Sequence, residues 1–324
     1  MRYILTRTIS SVDGFGVDVG RGANAGHTVA AMRVVTELPH SGGDPASSLG
    51  RLLGALEHFP DRVVACSGGV DSLTLATVAH RAAPGRTTVA HTVTPAVPAR
   101  ATARVVAYAK RERWSLEVVR SAEFDDERYL ANPTDRCYYC KTNLYDAIDG
   151  VTEGLIEGVV EGVAVDASGA VVLSGANTDD LGEYRPGLIA AAEHCVHHPY
   201  VEAGLSKGDV REIARDLALE DADLPASPCL ASRLYTGTRV TAERLRAVEI
   251  GEETIGQLTG VQVSRCRIRE DDVVVEVSDE DRDAITDDTL DVVAEVMRAV
   301  CPSLRGAVLD PLPYRPGRAI IQVH

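Results

Sequence analysis

The sequence predicts an α/β protein: a doubly wound parallel sheet followed by a smaller α+β domain. Three observations carry this. Short runs that are apolar at consecutive positions alternate with helix-period stripes through most of the chain, as in βαβ units whose strands are buried on both faces. A glycine turn separates the first such run from the helix after it. Beyond residue 236 the pattern changes to alternating strands flanked by longer helices.

Taken in order, residues 1 to 45 are rich in Gly, Ser and Thr, lack a sustained period and contain a second methionine, Met32. They read as an N-terminal extension or a mis-set start. Leu49, Leu52, Leu53, Leu56 and Phe59 make one helical stripe, with Ser47 or Ser48 as N-cap. Val63 to Cys66 is the first buried strand, and Leu73 to Ala82 the helix after the turn. Thr87 to Thr94 and Leu116 to Val119 follow as strands on either side of a helix over Ala99 to Glu112, and Val171 to Ser174 as another strand. Gly150 to Ala170 reads as a helix end and surface loop. Ser206 caps a helix over Lys207 to Leu217, with Asp209 in the capping-box position. The last part reads as a helix over Thr241 to Leu258, strands near Val261 to Glu270 and Val273 to Val277, a helix over Thr289 to Val300 and a strand near Ala319 to Val323. The expected domains are therefore 46 to 235 and 236 to 324.

The length of 324 residues suits two domains with cores of their own. Lys and Arg total 33 against 48 Asp and Glu, a formal charge of −15. A surface that acidic repels polyphosphate backbones, so no nucleic-acid partner is expected. No apolar run is long enough to span a membrane and no secretory signal opens the chain, which predicts a cytoplasmic protein. The seven cysteines are an odd number, suited to thiols or ligands rather than a disulfide frame.

The strongest local signal is Ser67-Gly68-Gly69-Val70-Asp71-Ser72, between a strand and a helix. Amides at a helix start can surround phosphate oxygens, and glycines let the main chain approach closely. No Gly-Lys-Ser/Thr follows, so it is not a Walker A loop; a tight turn with a serine cap is the simpler alternative. Cys66 reads as a small buried strand residue. Gly175 and Asn177 follow a strand at the edge where open sheets bind ligands. Asp179 and Asp180 suit Mg²⁺ or a nucleotide, or merely an acidic helix start. Arg185 suits phosphate, carboxylate or a surface ion pair. Cys137 and Cys140 form a Cys-x-x-Cys pair that suits half of a metal or cluster site, or two unrelated thiols. Cys229 lies in a proline-rich loop beside Arg233, whose charge would favour a thiolate. Arg267 and Arg269 share one strand face and suit an anionic substrate, or an exposed charged face.

The SGGVDS loop resembles that of the PP-loop ATP pyrophosphatases, also described as adenine nucleotide alpha hydrolase-like. Four further blocks narrow the resemblance: Leu173-Ser174-Gly175-Ala176-Asn177-Thr178-Asp179-Asp180, Tyr184-Arg185-Pro186-Gly187, Glu202-Ala203-Gly204-Leu205-Ser206-Lys207 and Ser227-Pro228-Cys229-Leu230-Ala231-Ser232-Arg233. In that order they resemble the LarE family of ATP-dependent sulfur transferases, which make the nickel-pincer cofactor. The closing Leu309-Asp310 and Tyr314-Arg315-Pro316-Gly317 are similar too, whereas the turn at Glu270-Asp271-Asp272 is shorter than the family's.

The resemblance implies that ATP, with Mg²⁺, adenylates a carboxylate of a pyridinium mononucleotide, and that sulfur delivered at Cys229 displaces AMP. It implies pyrophosphate binding by Ser67, Gly68, Gly69, Asp71 and Ser72, and nucleotide contacts from Gly175, Asn177, Asp179 and Asp180. Arg185, Arg233, Arg267 and Arg269 are then the substrate grip. Members without the Cys-x-x-Cys pair sacrifice the sulfur of their own loop cysteine. In members that have it, three cysteines resemble ligands of a [4Fe-4S] cluster, here Cys137, Cys140 and Cys229, with sulfide or another donor supplying the sulfur. Zinc is the rival metal, with His194, His197 or His198 as fourth ligand. A homo-oligomer is also implied. The competing functions are a tRNA thiolase, disfavoured by the acidic balance and 4% aromatic content, and a nucleotide-binding regulator without turnover.

Overall fold

Helix α1 (Ser48–Leu56) opens the fold, capped by Ser47, whose hydroxyl accepts from the Gly50 amide. In this computed structural model the described residues are 38, 44–157, 169–182, 185–315 and 317–319, and all fall within one compact unit, Val35–His324. The expected extension lies outside them except for Leu38, Asp44 and Pro45, as do 158–168 of the expected surface loop and all but Ala319 of the expected last strand.

The first layer system follows as β1 (Arg62–Ala65), α2 (Val70–Ala82), β2 (Thr87–Thr92), α3 (Ala99–Glu112), β3 (Ser115–Val119), α4 (Glu127–Leu130), α5 (Arg136–Glu157), β4 (Val171–Leu173), α6 (Pro186–Glu193), α7 (Pro199–Glu202) and α8 (Lys207–Asp216). Its strands form one all-parallel sheet in the order β3-β2-β1-β4. Successive residues of a strand face opposite sides, and both sides are filled. Val64, Val89 and Leu173 pack with α1, α2, α3 and α8, while Val63, Ala90 and Val172 pack with Tyr145 and Ile148 of α5 and Ala191 of α6. This is a doubly wound arrangement. Of helix α5 only the end was foreseen, although Tyr145 and Ile148 are buried along it with Leu144 and Val151 half-buried beside them.

The second system is α9 (Ala242–Thr259), β5 (Arg265–Arg269), β6 (Asp272–Glu276), α10 (Asp287–Val300) and β7 (Ala307–Leu309). β5 pairs antiparallel with β6, and β7 adds parallel to β6. Cys266, Ile268, Val273 and Val275 pack against Leu245, Val248 and Ile255 of α9 and Val293 and Met297 of α10. Leu230, Ala231 and Leu234, from the segment between α8 and α9, join this second core. No helix among the described residues is long and apolar enough to cross a membrane.

Within the first system, Glu112 at the end of α3 accepts two bonds from Arg81 of α2, at 2.9 and 3.0 Å, and one from Arg111 at 3.1 Å. The side chains of Arg81 and Glu112 are 4% and 1% exposed. Glu112→Ala leaves a buried guanidinium uncompensated and is expected to cost about 3–5 kcal/mol, read as a lower midpoint in chemical denaturation.

Candidate functional site

Strand order reverses beside β1, since β2 lies on one side of it and β4 on the other. In an open parallel sheet such a reversal opens a crevice at the carboxyl ends of the two strands. The loop after β1 is 66–69 and that after β4 is 174–177, so both glycine motifs meet there. A Cβ on Gly175 would lie 3.0 Å from the Ser72 amide nitrogen, which is why the second motif can lie directly against the first. Gly68 has φ +81, and a Cβ on it would fall 2.7 Å from the Ala101 carbonyl oxygen of α3. Gly69, the N-cap of α2, has ordinary φ, and a Cβ there would meet only the Ser67 hydroxyl at an unstrained 3.7 Å.

The Ser72 hydroxyl holds the loop shut, accepting from the Ser67 amide at 3.1 Å and donating to the Gly69 carbonyl at 3.0 Å. Among the described residues, the amides of Gly69, Val70, Asp71 and Ser72 donate to no protein acceptor. They are the unpaired donors of a helix N-terminus, suited to an anion. Cys66 is buried below them, and burial pushes its thiol up to about 11, so it is inert at neutral pH.

Asp71 faces an acidic and basic frame from the second block. Lys207, at the first position of α8, donates its ammonium to Asp71 Oδ2, and the fully buried Tyr200 donates its hydroxyl to the Asp71 carbonyl at 2.9 Å. Asp71 Oδ1 is buried and has no hydrogen-bond partner among the described residues. Asn177 and Asp180 cap their own short turn in a capping box. Asp180 also pairs with Arg185 at 2.6 Å, and Asp179 accepts from the Lys207 amide at 3.3 Å. These acids therefore order the block around the Asp71 and Lys207 pair, a role for Lys207 that its place beside a capping serine did not signal.

Cys137 and Cys140 occupy the first turn of α5, three positions apart and so on one helix face. Cys229 comes to them from the turn before residues 230–233. Burial, then charge on Cys229, pushes the Cys140 thiol up to about 12, and the same two causes raise Cys137. Among the described residues the three sulfurs do not all lie within 4.8 Å of one another. Two cations that sequence reasoning missed stand beside them. Arg136 is buried, bonds Asn132 Oδ1 at 2.5 Å and the Ala231 carbonyl at 2.8 Å, and interacts electrostatically with all three thiols. Lys141 lies one residue past Cys140, its Nζ 5.7 Å above the Tyr145 ring; burial alone would lower its pKa, but Tyr145 and the cysteines raise it. The CYYCK run carried this signal, since a lysine four residues from Cys137 shares its face.

The histidines weighed as zinc ligands are engaged elsewhere. His198 pairs with Ser174 at 2.8 Å and His197 with Glu202 at 3.3 Å. His194 lies 3.3 Å from Asp149 and 3.9 Å from Asp146.

The arginine readings need correction. Arg233 is fully buried: it forks onto Glu252 at 2.8 and 2.9 Å and gives Nη1 to the carbonyls of Pro228 and Cys229. It braces the cysteine loop and has no reach left for a substrate. Arg267 is 3% exposed. It lies 2.8 Å from Glu276 as an ion pair poorly aligned for a hydrogen bond, and donates to the Ser232 carbonyl at 3.0 Å. Because Cys266 and Ile268 turn into the core, Arg265, Arg267 and Arg269 share the other face of β5. Arg269 is exposed, 5.9 Å from the Tyr235 ring centroid. Arg265, missed in the sequence, lies 4.9 Å from the Tyr314 ring and donates to the Ala226 carbonyl at 3.3 Å. Neither Arg265 nor Arg269 has a carboxylate within 4 Å among the described residues.

Fold and loop together define a doubly wound α/β protein with a glycine loop at its switch point. The chain belongs to the same family as the uncharacterized protein slr1717 of Synechocystis, with which it is 36% identical over 202 residues, 62% of this chain and 70% of that protein. It is also 26% identical over 218 residues to the uncharacterized protein MJ0830 of Methanocaldococcus jannaschii, 67% of this chain and 78% of that one. A more distant homologue is the pyridinium-3,5-bisthiocarboxylic acid mononucleotide synthase of Lactiplantibacillus plantarum, 29% identical over 152 residues, 47% of this chain and half of the synthase. No family model matches the chain.

The two loop glycines differ in a way that calorimetry can read. Gly68→Ala forces a left-handed residue against Ala101 and is expected to cost about 1–3 kcal/mol. Gly69→Ala is expected to stay within about 0.5 kcal/mol of the parent.

Proposed function

We propose that this protein is an ATP-dependent sulfur transferase that activates a carboxylate of a pyridinium mononucleotide and replaces AMP with sulfur at Cys229. The observation that carries the reading is the meeting of Cys229 with Cys137 and Cys140 beside Arg136 and Lys141. The homologous synthase, whose product by its name is a thiocarboxylic acid mononucleotide, supports the substrate class.

The unpaired amides of Gly69 to Ser72 would hold the pyrophosphate part of ATP. Asp71 Oδ1, buried and without a partner among the described residues, fits a ligand of Mg²⁺, with Lys207 as the alternative counter-charge. A carboxylate oxygen of the substrate attacks the α-phosphorus, the α,β-anhydride breaks and pyrophosphate leaves. Sulfide then attacks the acyl carbon, the bond to the AMP oxygen breaks, and a thiocarboxylate and AMP result. Adenylation supplies the leaving group that a carboxylate lacks. Arg269, exposed at the outer end of the β5 face, is the guanidinium there with charge to spare for the substrate phosphate.

The cysteines fit a cluster better than one zinc. Sulfurs sharing a tetrahedral zinc at about 2.3 Å from it would lie about 3.8 Å apart, closer than this trio, whereas cluster cysteines sit on separate irons. Cys137, Cys140 and Cys229 would hold three irons of a [4Fe-4S] cluster, which when bound supplies an iron without a protein ligand for sulfur.

Protein purified without oxygen is expected to contain about four irons and four sulfides per chain, and Cys229→Ala to lose them. Pyrophosphate release from ATP is expected only with a carboxylated pyridinium mononucleotide. Iron-free protein after reconstitution overturns the cluster and moves sulfur donation to Cys229 itself. Release of no pyrophosphate with any such substrate overturns the adenylation, and release with tRNA instead makes the protein a tRNA thiolase.

A further inference from the structure

Arg104 belongs to none of the motifs, yet it touches the glycine loop from behind. It projects from α3, one turn after Ala101, and donates Nη1 to the Gly68 carbonyl at 2.6 Å. Its Nε lies 3.1 Å from Asp221, and its side chain is 15% exposed.

The peptide between Gly68 and Gly69 is the one in this loop freest to rotate, because neither flanking residue carries a Cβ. It is trans, as are the other described peptides, so the Gly69 N–H points opposite to the Gly68 carbonyl. A charged donor on that carbonyl therefore turns the Gly69 amide away from α3, where it meets no acceptor among the described residues.

The same guanidinium reaches toward the cysteine loop. Asp221 begins the segment that runs into Ser227 and Cys229, and its amide donates to the Tyr108 hydroxyl of α3 at 3.4 Å. Arg211 of α8 secures that segment through the Ala222 and Leu224 carbonyls at 2.9 and 2.8 Å.

We propose that Arg104 is a positioning residue: it locks the Gly68–Gly69 peptide so that the Gly69 amide faces the nucleotide's pyrophosphate, and ties that orientation to the Asp221 segment leading to Cys229. The proposal rests on the reading that this loop holds nucleotide phosphates.

The test is calorimetric titration of the full chain with inorganic pyrophosphate and with ATP, beside hydrogen exchange at the Gly69 amide and the unfolding midpoint. Arg104→Met is expected to weaken pyrophosphate by about tenfold or more and to speed exchange at Gly69, with a nearly unchanged midpoint. Arg104→Lys, which keeps a charged donor, is expected to recover most of the affinity, a rescue that a merely structural role does not predict. Asp221→Asn is expected to speed exchange over 221–229 while leaving pyrophosphate binding within about threefold. Should Arg104→Met fail to fold, Arg104→Gln takes its place. Parent-like affinity in the Met or Gln variant, or equal impairment in Arg104→Lys, overturns the proposal and leaves the loop reading standing. A parent that binds neither pyrophosphate nor ATP overturns the loop reading and the proposal with it.

Discussion

Burial of β1 on both faces, between β2 on one side and β4 on the other, is the constraint from which the rest of the site follows. A strand so placed needs helices above and below it, and parallel connections then bring each chain return to the same edge. The loops after β1, β2 and β4 open at that carboxyl edge. Two of them bring the glycine motifs together, and the third offers the Ala96 carbonyl to the Leu230 amide at 2.8 Å, anchoring the cysteine loop there.

The cysteine loop itself has almost no regular backbone pairing, so its carbonyls need donors from elsewhere. Arginines supply them. Arg265 reaches Ala226, Arg233 reaches Pro228 and Cys229, Arg136 reaches Ala231, and Arg267 reaches Ser232. Arginine suits this because its five donors lie in a rigid plane and its charge persists when buried. Glu252 and Glu276, at 8% and 0% exposure, balance two of the four. A protein with a formal charge of −15 thus gathers cations at one interior seam, where the thiols of Cys137, Cys140 and Cys229 also lie. Lys141 adds to the same seam, and the β5 face extends it outward to Arg269. Charge is thus unevenly distributed within the protein, which is why whole-chain composition is a poor guide to the charge at any one place in it.

Much of this was legible before any coordinates. The short strand-like runs placed β1, β2, β3 and β4 to within a few residues; β1 and β2 are buried on both faces, which narrows the composition open to them. The Ser47 cap and the Ser206 capping box were legible for a similarly local reason: the hydroxyl bonds an amide two or three residues away. Only the end of helix α5 was read, since its apolar stripe begins only after the polar stretch that follows Cys140, and β7 was too short to show a period. The shared face of Arg267 and Arg269 held, while Arg233 and Arg267, expected in the substrate grip, are turned instead to carbonyls and carboxylates inside the protein.

What the sequence by itself determined is the set of local structures and the chemical kinds present: the strands, the glycine turn, the close spacing of the Cys-x-x-Cys pair and the arginines on alternate strand positions. These depend on backbone sterics and on periods of two or 3.6 residues, which act between near neighbours. Only the tertiary structure decided which guanidiniums are spent on carbonyls and carboxylates and which remain for a ligand. It also placed Lys207 on Asp71, set Arg104 behind Gly68 and brought Cys229 to Cys137 and Cys140. Each of these is a contact between residues distant in the chain, and burial alone settles whether such a charge must find a partner inside the protein.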